Sequence, residues 1–280
     1  MIRIVTDSAA DLTPREREAE GLVIVPMAIT FEDDKTIEDD GSMSRDEFYE
    51  KLAGCSKLPR TSQPSPESFM NAFRDARDAG DEVVAITISQ ALSGTYQCAV
   101  LAAEDVGGEV HIVDSRAATQ CEAILVREAL RLRDEGCCAA EIAAALNELR
   151  ERVRITAVVD SLHHLHKGGR LPAAVAIMGG ALGIKPVVAL QDGKIKMLDK
   201  GRGRPGALVA LFKQIEKLGG IDPAYGYTMV YTDDRRLTAP IHHYLHDTMH
   251  LTGARIAQVG PTIGTHIGPG AVGVAFVARQ

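Results

Sequence analysis

Three small residues in succession, Ser93-Gly94-Thr95, stand where a predicted strand passes into a predicted helix. The β-branched apolar run 83–88 predicts the strand, and the alanine-rich run 97–106 predicts the helix. At such a junction the free backbone N–H groups and the positive end of the helix dipole bind anions, and a glycine permits close approach. The competing interpretation is that Ser93 only caps the helix. The run therefore indicates either a helix cap or a site for a carboxylate or phosphate.

A second hydroxyl-rich stretch, Arg60-Thr61-Ser62-Gln63-Pro64-Ser65-Pro66, favours the binding interpretation. Ser65 is the natural N-cap of the helix that follows it, and Pro66 suits the first helical position. Thr61 and Ser62 are then left without a structural task. We predict a loop here that contributes to the same anion site as Ser93.

The predicted strands place this site at one edge of a sheet. Residues 2–5 form a strand that ends in Thr6-Asp7-Ser8, and residues 109–113 form one that ends in Asp114-Ser115. Alternating strands and helices imply a parallel sheet covered on both faces, and such sheets bind ligands at the carboxyl ends of their strands. We therefore predict a three-layer α/β/α domain with a parallel sheet over residues 1–154.

The pattern changes over residues 155–280, for which we predict a two-layer α+β domain with a mixed sheet. Asp192-Gly193 between two apolar runs is a strong signal for a two-residue hairpin. Further strands are predicted over 227–232, 255–259 and 272–278, separated by helices over 205–218 and 235–251. The fold class is thus α/β in two domains. In the first domain, the strand-like run 22–29 contains Pro26, which indicates a sheet edge or a bulge.

Composition narrows the class of protein. The chain has 45% hydrophobic and 25% charged residues, and its five cysteines show no C-x-x-C spacing, which is typical of reduced thiols in a cytoplasmic protein. Residues 163–204 carry a local charge of +6. Because the net charge of the whole chain is −7, the remaining residues together carry −13. A basic segment on an acidic chain favours a confined anionic partner. With 4% aromatic residues and no Trp, we expect no nucleic-acid binding and at most transient membrane contact.

Taken in order, these residues resemble the DegV family of bacterial fatty-acid-binding proteins. The resemblance spans nearly the whole chain and rests on several short motifs together. The matching motifs are Thr6-Asp7-Ser8, Thr61-Ser62-Gln63-Pro64-Ser65, Leu92-Ser93-Gly94-Thr95-Tyr96, Val113-Asp114-Ser115, Lys167-Gly168-Gly169-Arg170, Gly183-Ile184-Lys185-Pro186 and Ile263-Gly264-Thr265-His266-Ile267-Gly268-Pro269-Gly270.

The resemblance implies a DegV-like two-domain fold that buries a long-chain fatty acid in a tunnel and holds its carboxylate at the domain junction. On that pattern Thr61, Ser62, Ser93 and Gly94 donate hydrogen bonds to the carboxylate, and His266 completes its polar surroundings. Tunnel depth is expected to depend on the alanine- and valine-rich residues 123–132 and 173–182.

The resemblance also implies that the chain is a carrier and not an enzyme on its own. A partner, the catalytic subunit of a fatty acid kinase, is expected to supply ATP and magnesium and to convert the held acid to an acyl phosphate for phospholipid synthesis. Arg170 and Arg202 lie in the basic segment and are candidates for contact with that kinase or with the transferring phosphate. No cofactor and no metal is expected on the chain itself.

Two enzyme classes compete with the carrier interpretation. A serine hydrolase could use Ser93 and His266 with Asp7 or Asp114, but the sequence around Ser93 lacks the G-x-S-x-G nucleophile elbow. A self-sufficient kinase would need a G-x-x-x-x-G-K-[ST] loop, which the sequence also lacks.

A histidine stripe is the remaining chemical motif. His242, His246 and His250 recur at every fourth residue on one predicted helix face, a spacing that can bind zinc. Because no carboxylate or thiol obviously joins them in sequence, we predict a solvated face.

Overall fold

The computed structural model describes residues 1–172 and 183–280. Alternation of β-branched and helix-forming runs gives thirteen strands within these ranges. They are β1 (Ile2–Asp7), β2 (Leu22–Val25), β3 (Ala28–Thr30), β4 (Thr36–Glu38), β5 (Arg60–Ser62), β6 (Glu82–Thr87), β7 (Val110–Asp114), β8 (Val153–Val158), β9 (Ile184–Gln191), β10 (Lys194–Arg202), β11 (Tyr227–Tyr231), β12 (Ala254–Gln258) and β13 (Val272–Val277).

Ten α-helices accompany the strands in the described ranges. They are α1 (Pro14–Arg17), α2 (Arg45–Gly54), α3 (Pro66–Asp78), α4 (Thr95–Val106), α5 (Gln120–Asp134), α6 (Ala139–Leu149), α7 (His163–Lys167), α8 (Gly203–Lys217), α9 (Ala239–His242) and α10 (Pro261–Ile267). Short 3₁₀ turns span Ser8–Ala10 and Arg235–Thr238, and a π-helix over His243–Thr248 continues α9. Within the described residues, no helix is both long and apolar enough to span a membrane.

The first sheet is parallel throughout, with the strand order β2-β1-β6-β7. Because successive side chains of a strand point to opposite faces, β6 contributes to two cores. Val83 and Ala85 pack with α3 and α4, whereas Val84 and Ile86 pack with α5 and α6. This arrangement confirms the predicted three-layer α/β/α architecture.

The second sheet is mixed, with the order β10-β9-β8-β13-β11-β12, and only β11 and β12 run parallel. One of its faces packs on α8, where Leu211 and Ile215 are buried. The predicted hairpin joins β9 to β10, and both turn residues have positive φ, 53° at Asp192 and 74° at Gly193, as a two-residue hairpin turn requires. The α+β class is therefore confirmed. The division at residue 154 stays a prediction, and β8 of this sheet begins at Val153.

The two sheets share one core. The other face of the mixed sheet packs against α5, so that Ile155 and Ala275 lie in the same cluster as Leu125, Val126 and Ala129. All three α5 side chains have no exposed surface. Helix α5 therefore serves the parallel sheet and the mixed sheet at once.

A third, antiparallel sheet with the order β4-β3-β5 was not predicted. The strand expected over 22–29 breaks at Pro26 into β2 and β3, because proline cannot donate a ladder hydrogen bond. The prediction of a loop at Thr61 and Ser62 is also wrong, since both residues lie on β5. Ser65 caps α3 as predicted and accepts a hydrogen bond from the Ser68 backbone N–H at 3.2 Å.

The shared core gives a stability prediction. Leu125→Ala should lower the free energy of unfolding by about 2–5 kcal/mol, because it leaves a cavity against both sheets. Urea unfolding followed by circular dichroism measures the change. The matched control is Leu101→Ala on α4, where the side chain is 47% exposed and the loss should stay below about 1 kcal/mol. Equal losses for the two variants would contradict the shared core.

Candidate functional site

A largely aliphatic cavity lies where the carboxyl edge of the parallel sheet meets the mixed sheet and helix α10. Its lining, which is mainly apolar with a few polar side chains, is typical of a site for a small organic ligand. The loops after β2, β6 and β7 form one wall, strands of the mixed sheet form another, and α10 contributes the third. The apolar lining includes Met27, Ile88, Leu92, Ala118, Ile155, Ala157, Leu165, Val188, Leu190, Ile195, Val230, Val259, Ile263, Ile267 and Val272.

Polar side chains line the same cavity and include most of the predicted site. Thr61, Ser93, Arg170 and His266 all contribute to its wall. The Oγ1 of Thr61 and the Nε2 of His266 form a hydrogen bond of 2.7 Å across 205 residues of sequence. Four residues from different parts of the chain are thus brought to one place.

Ser93 is not the N-cap residue of α4, although its Oγ accepts a hydrogen bond from the Thr95 backbone N–H at 3.4 Å. Gly94 occupies the N-cap position of α4, which has no side-chain cap, and the Oγ of Ser93 lies 2.8 Å from the Oγ1 of Thr95. The hydroxyl groups of Ser93 and Thr95 therefore bond to each other at the start of the helix.

Ser62, Gly94 and Arg202 stand apart from the cavity wall, and all three are exposed. On β5 the side chains alternate, so Ser62 points away from the face that carries Thr61. Arg202 ends β10. The proposed contacts of these residues stay predictions, and residues 173–182 of the expected tunnel lie outside the described residues.

Gln63 lies in the second hydroxyl-rich stretch, and its contact with the segment around Gly94 was not predicted. Its Nε2 lies 3.0 Å from the Sγ of Cys98, and a Cβ placed on Gly94 would come within 2.2 Å of its Oε1. Gly94 therefore lies in close contact with the end of the Gln63 side chain, and the two hydroxyl-rich segments pack together there. The sequence indicates this contact only in that both segments contain small residues and side-chain amides.

The polar end of the cavity holds an uncharged imidazole. Burial, followed by the charges of Arg170 and His164, lowers the pKa of His266 to about 4. Its Nδ1 is buried and has no hydrogen-bond partner within the described residues. Arg170 is half-buried, and burial lowers its pKa as well. Its Nε donates to the Leu92 carbonyl at 3.1 Å, so its charge is not neutralised by that contact.

Buried carboxyl groups support the neighbouring loops. Asp7 accepts hydrogen bonds from the backbone N–H groups of Ala9 at 2.9 Å and Ile88 at 2.8 Å, and burial raises its pKa to about 7. Its folded-state pKa lies above the unfolded value, so its contribution to stability falls as pH rises from about 4 to 7. Asp7 thereby fixes the ends of β1 and β6 beside the cavity.

The serine hydrolase arrangement receives no support. Ser93 bonds to Thr95, and His266 bonds to Thr61. Asp7 accepts from backbone groups, as described above. Asp114 accepts from the backbone N–H and the side-chain amide of Gln90 and from the Arg116 backbone N–H. The described residues therefore do not form a Ser-His-Asp relay, in which the base contacts both other members.

The histidine stripe contains a carboxylate that the sequence analysis overlooked. Ligand atoms of His242, His246 and Asp247 lie within 4.8 Å of one another. The Asp247 oxygens lie 2.9 Å from the Nδ1 of His243 and 2.8 Å from the Nδ1 of His246. The expectation that no carboxylate joins the stripe was wrong, whereas the absence of a metal stays a prediction.

The protonation of His266 is testable by NMR. Because its folded-state pKa lies near 4 and below the unfolded value, its imidazole signals should not titrate between pH 8 and 5. Over the window from about pH 6.5 to 4, protonation favours the unfolded chain, so this residue makes the protein less stable as pH falls. His266→Gln identifies the signal, and the wild-type chain in urea supplies the reference titration. A midpoint near 6.5 in the folded protein would contradict the buried, neutral imidazole.

Similar proteins share this architecture. A DegV domain-containing protein of Caldanaerobacter subterraneus subsp. tengcongensis is 36% identical over 276 residues, covering 98% of both chains. The structure of a DegV family protein from Thermus thermophilus, described for its fatty acid binding, has a TM-score of 0.89 at 30% identity, covering 99% of both chains. The Fatty Acid Kinase (Fak) B3 protein of Streptococcus pneumoniae, loaded with linoleic acid, has the same fold, with a TM-score of 0.87 at 22% identity over 99% of both chains. Residues 1–279 match the DegV family, and the chain belongs to it.

Proposed function

We propose that this chain binds a long-chain fatty acid, with the tail in the aliphatic cavity and the carboxylate at its polar end. The observation that carries the proposal is the cavity itself, which is lined by aliphatic side chains but includes Thr61, Ser93 and His266 in its wall. A fatty acid has the same division between a long apolar tail and a small anionic head. The fatty acid binding described for the Thermus thermophilus protein supports this assignment.

Tail burial supplies most of the affinity. Each methylene group removed from water contributes about 0.8 kcal/mol, so a tail of ordinary length outweighs any single hydrogen bond to the head. Most of the lining side chains are aliphatic, and among the described lining residues Arg170 carries the only charge. The cavity is therefore suited to an apolar chain more than to a particular head group.

The head group is held mainly by neutral donors. Hydroxyl groups of Thr61 and Ser93 line the cavity, and the backbone N–H groups near Ser62 and Gly94 belong to the same two segments. A neutral His266 adds no ion pair. Hydrogen bonds of this kind stabilise a carboxylate without locking its oxygen in a tight salt bridge. One oxygen is thereby left able to act as a nucleophile.

We further propose that the chain presents this carboxylate to a fatty acid kinase. The Streptococcus pneumoniae protein of the same fold carries a fatty acid kinase name, and we extend that association to this chain. The kinase supplies ATP, which is the phosphoryl donor, and magnesium. The carboxylate is already ionised, so this chain needs no general base, and its task is to hold and orient the oxygen. Arg170 at the head group and the exposed Arg202 are the proposed contacts with the kinase or the phosphate.

Purified protein tests the proposal directly. Denaturation should release about one long-chain fatty acid per chain, which mass spectrometry of the small molecules identifies, because a tail buried in an aliphatic cavity dissociates slowly. Protein that is stripped of lipid should take up added palmitate. A chain that arrives empty and cannot take up palmitate would overturn the proposal.

The head-group assignment predicts a specific loss. Thr61→Val keeps the shape of the side chain but removes the hydroxyl, and should weaken palmitate binding about tenfold, because a hydrogen bond to a charged acceptor is lost. Ser93→Ala should act in the same direction. Isothermal titration with lipid-free protein measures both variants.

The matched control is Thr30→Val on the adjacent strand β3. The Thr30 hydroxyl bonds to the exposed Thr36 hydroxyl at 2.9 Å and does not line the cavity. Its removal should leave palmitate affinity within twofold of the wild-type value. The head-group assignment fails if Thr61→Val and Thr30→Val have the same affinity.

A further inference from the structure

A second, polar pocket shares Leu190 with the wall of the aliphatic cavity. Three arginine side chains, Arg116, Arg150 and Arg154, contribute to its lining. Arg116 follows β7, Arg150 follows α6, and Arg154 lies on β8. None of the three lines the aliphatic cavity. The fold therefore brings three guanidinium groups together at a place that the proposed function does not use.

Backbone carbonyl groups hold two of these guanidinium groups in place. Arg150 donates through Nη1 to the Asp114 carbonyl at 2.8 Å, and Arg154 donates to the carbonyls of Val153 at 2.9 Å and Glu151 at 2.7 Å. A carbonyl group orients a guanidinium group but carries no net charge. The Nε of Arg150 is buried and has no hydrogen-bond partner within the described residues. An unpaired buried donor of this kind indicates an acceptor that comes from outside the chain.

Acidic side chains compensate the three arginines only in part. Glu151 and Asp192 are the carboxylates among the described lining residues. An oxygen of Glu151 lies 2.7 Å from the Nη1 of Arg116 and 3.5 Å from the Nε of Arg150. Asp192 is paired with Lys196, which lies outside the lining, at 2.9 Å. Three guanidinium charges against the one carboxylate of Glu151 leave an excess of two positive charges in the pocket.

Hydrogen bonds outside the pocket fix its walls. Asp114 accepts a hydrogen bond from the Arg116 backbone N–H at 3.0 Å, and Arg116 has a positive φ of 50°. On another wall, the Oγ of Ser89 donates to the Gly193 carbonyl at 2.8 Å, which attaches the turn between β9 and β10 to the loop after β6. Donors that are already positioned bind an anion with little further loss of conformational freedom.

We propose that this pocket binds a phosphate group, with the guanidinium groups of Arg116, Arg150 and Arg154 donating hydrogen bonds to its oxygens. A phosphate group carries a charge of about −1.5 to −2 at neutral pH, which matches the excess of two positive charges, whereas a carboxylate carries only one negative charge. The planar guanidinium group donates to phosphate oxygens in pairs. This site is independent of the proposed function.

Two sources supply this chemistry, namely inorganic phosphate and the phosphate group of a monoester. Arg116, Glu151 and Asp192 are exposed, so the pocket is accessible from solvent and one phosphate oxygen can carry a substituent. Inorganic phosphate and methyl phosphate are therefore the probes. Acetate serves as the test for a carboxylate.

Equilibrium dialysis of the purified chain with radiolabelled inorganic phosphate tests the site at low salt. Binding should saturate near one phosphate per chain with a dissociation constant below about 1 mM, because several charge-assisted hydrogen bonds form. Acetate should compete about tenfold more weakly than unlabelled phosphate. Methyl phosphate distinguishes the two sources. Competition equal to that of inorganic phosphate supports a monoester as the ligand, and competition about tenfold weaker supports the free ion.

Three variants change the charge of single residues. Arg154→Gln should weaken phosphate binding about tenfold, because a charged donor is lost. Glu151→Gln should strengthen it about threefold, because the carboxylate that competes for Arg116 is removed. The matched control is Arg236→Gln, since the Arg236 side chain is 91% exposed, pairs with Asp234 and does not line the pocket. It should leave phosphate affinity unchanged.

The phosphate site is overturned if the wild-type chain shows no saturable binding up to about 10 mM phosphate. Equal affinities of Arg154→Gln and Arg236→Gln would also overturn it, and so would acetate competing as well as phosphate. Circular dichroism shows whether each variant is folded. If Arg154→Gln does not fold, Glu151→Gln decides: arginines that only hold the three segments together give no gain in phosphate affinity, and an unchanged or weaker affinity rejects the site.

Discussion

The site depends on the hydrogen bond between Thr61 and His266. It joins β5 of the small antiparallel sheet to α10, and it lies between the aliphatic cavity and a second depression whose wall includes Arg60 and Lys167. A charged imidazole at this border would need a counter-ion that the described surroundings do not supply. Burial and the nearby Arg170 keep the ring neutral, so one side chain can be both part of an apolar wall and a partner for a hydroxyl group.

The position of this bond is fixed by further contacts of the small sheet and α2. Asp39 accepts hydrogen bonds from the hydroxyl of Thr262 at 2.6 Å and from its backbone N–H at 3.2 Å. The Oη of Tyr49 donates to the Val259 carbonyl at 3.1 Å. Each contact links residues more than 200 positions apart, so the segment between β2 and α3 is tied to the start of α10 independently of Thr61.

Local patterns explain which parts could be predicted from sequence. The parallel sheet could be predicted because its strands are β-branched runs that end in polar residues. That Thr61 and Ser93 lie near each other could be predicted because both belong to short segments rich in hydroxyl groups. The small sheet could not be predicted, because three-residue strands have no readable periodicity and Pro26 alone signals the change of sheet. His266 came from the family resemblance, since a histidine among glycines indicates a surface loop by itself. The contact between Gln63 and Gly94 depends on tertiary packing, which no local pattern specifies.

The core shared through α5 determines how the cavity can exchange its contents. Proteins that bind ligands between two hinged domains open by moving the domains apart. Here that motion would expose Leu125, Val126 and Ala129 and the strands that cover them. The exposure would cost about 1.5–3 kcal/mol for each of the larger side chains. A ligand in the cavity would therefore exchange by a local rearrangement of the cavity wall, at a rate that does not depend on the global stability of the chain.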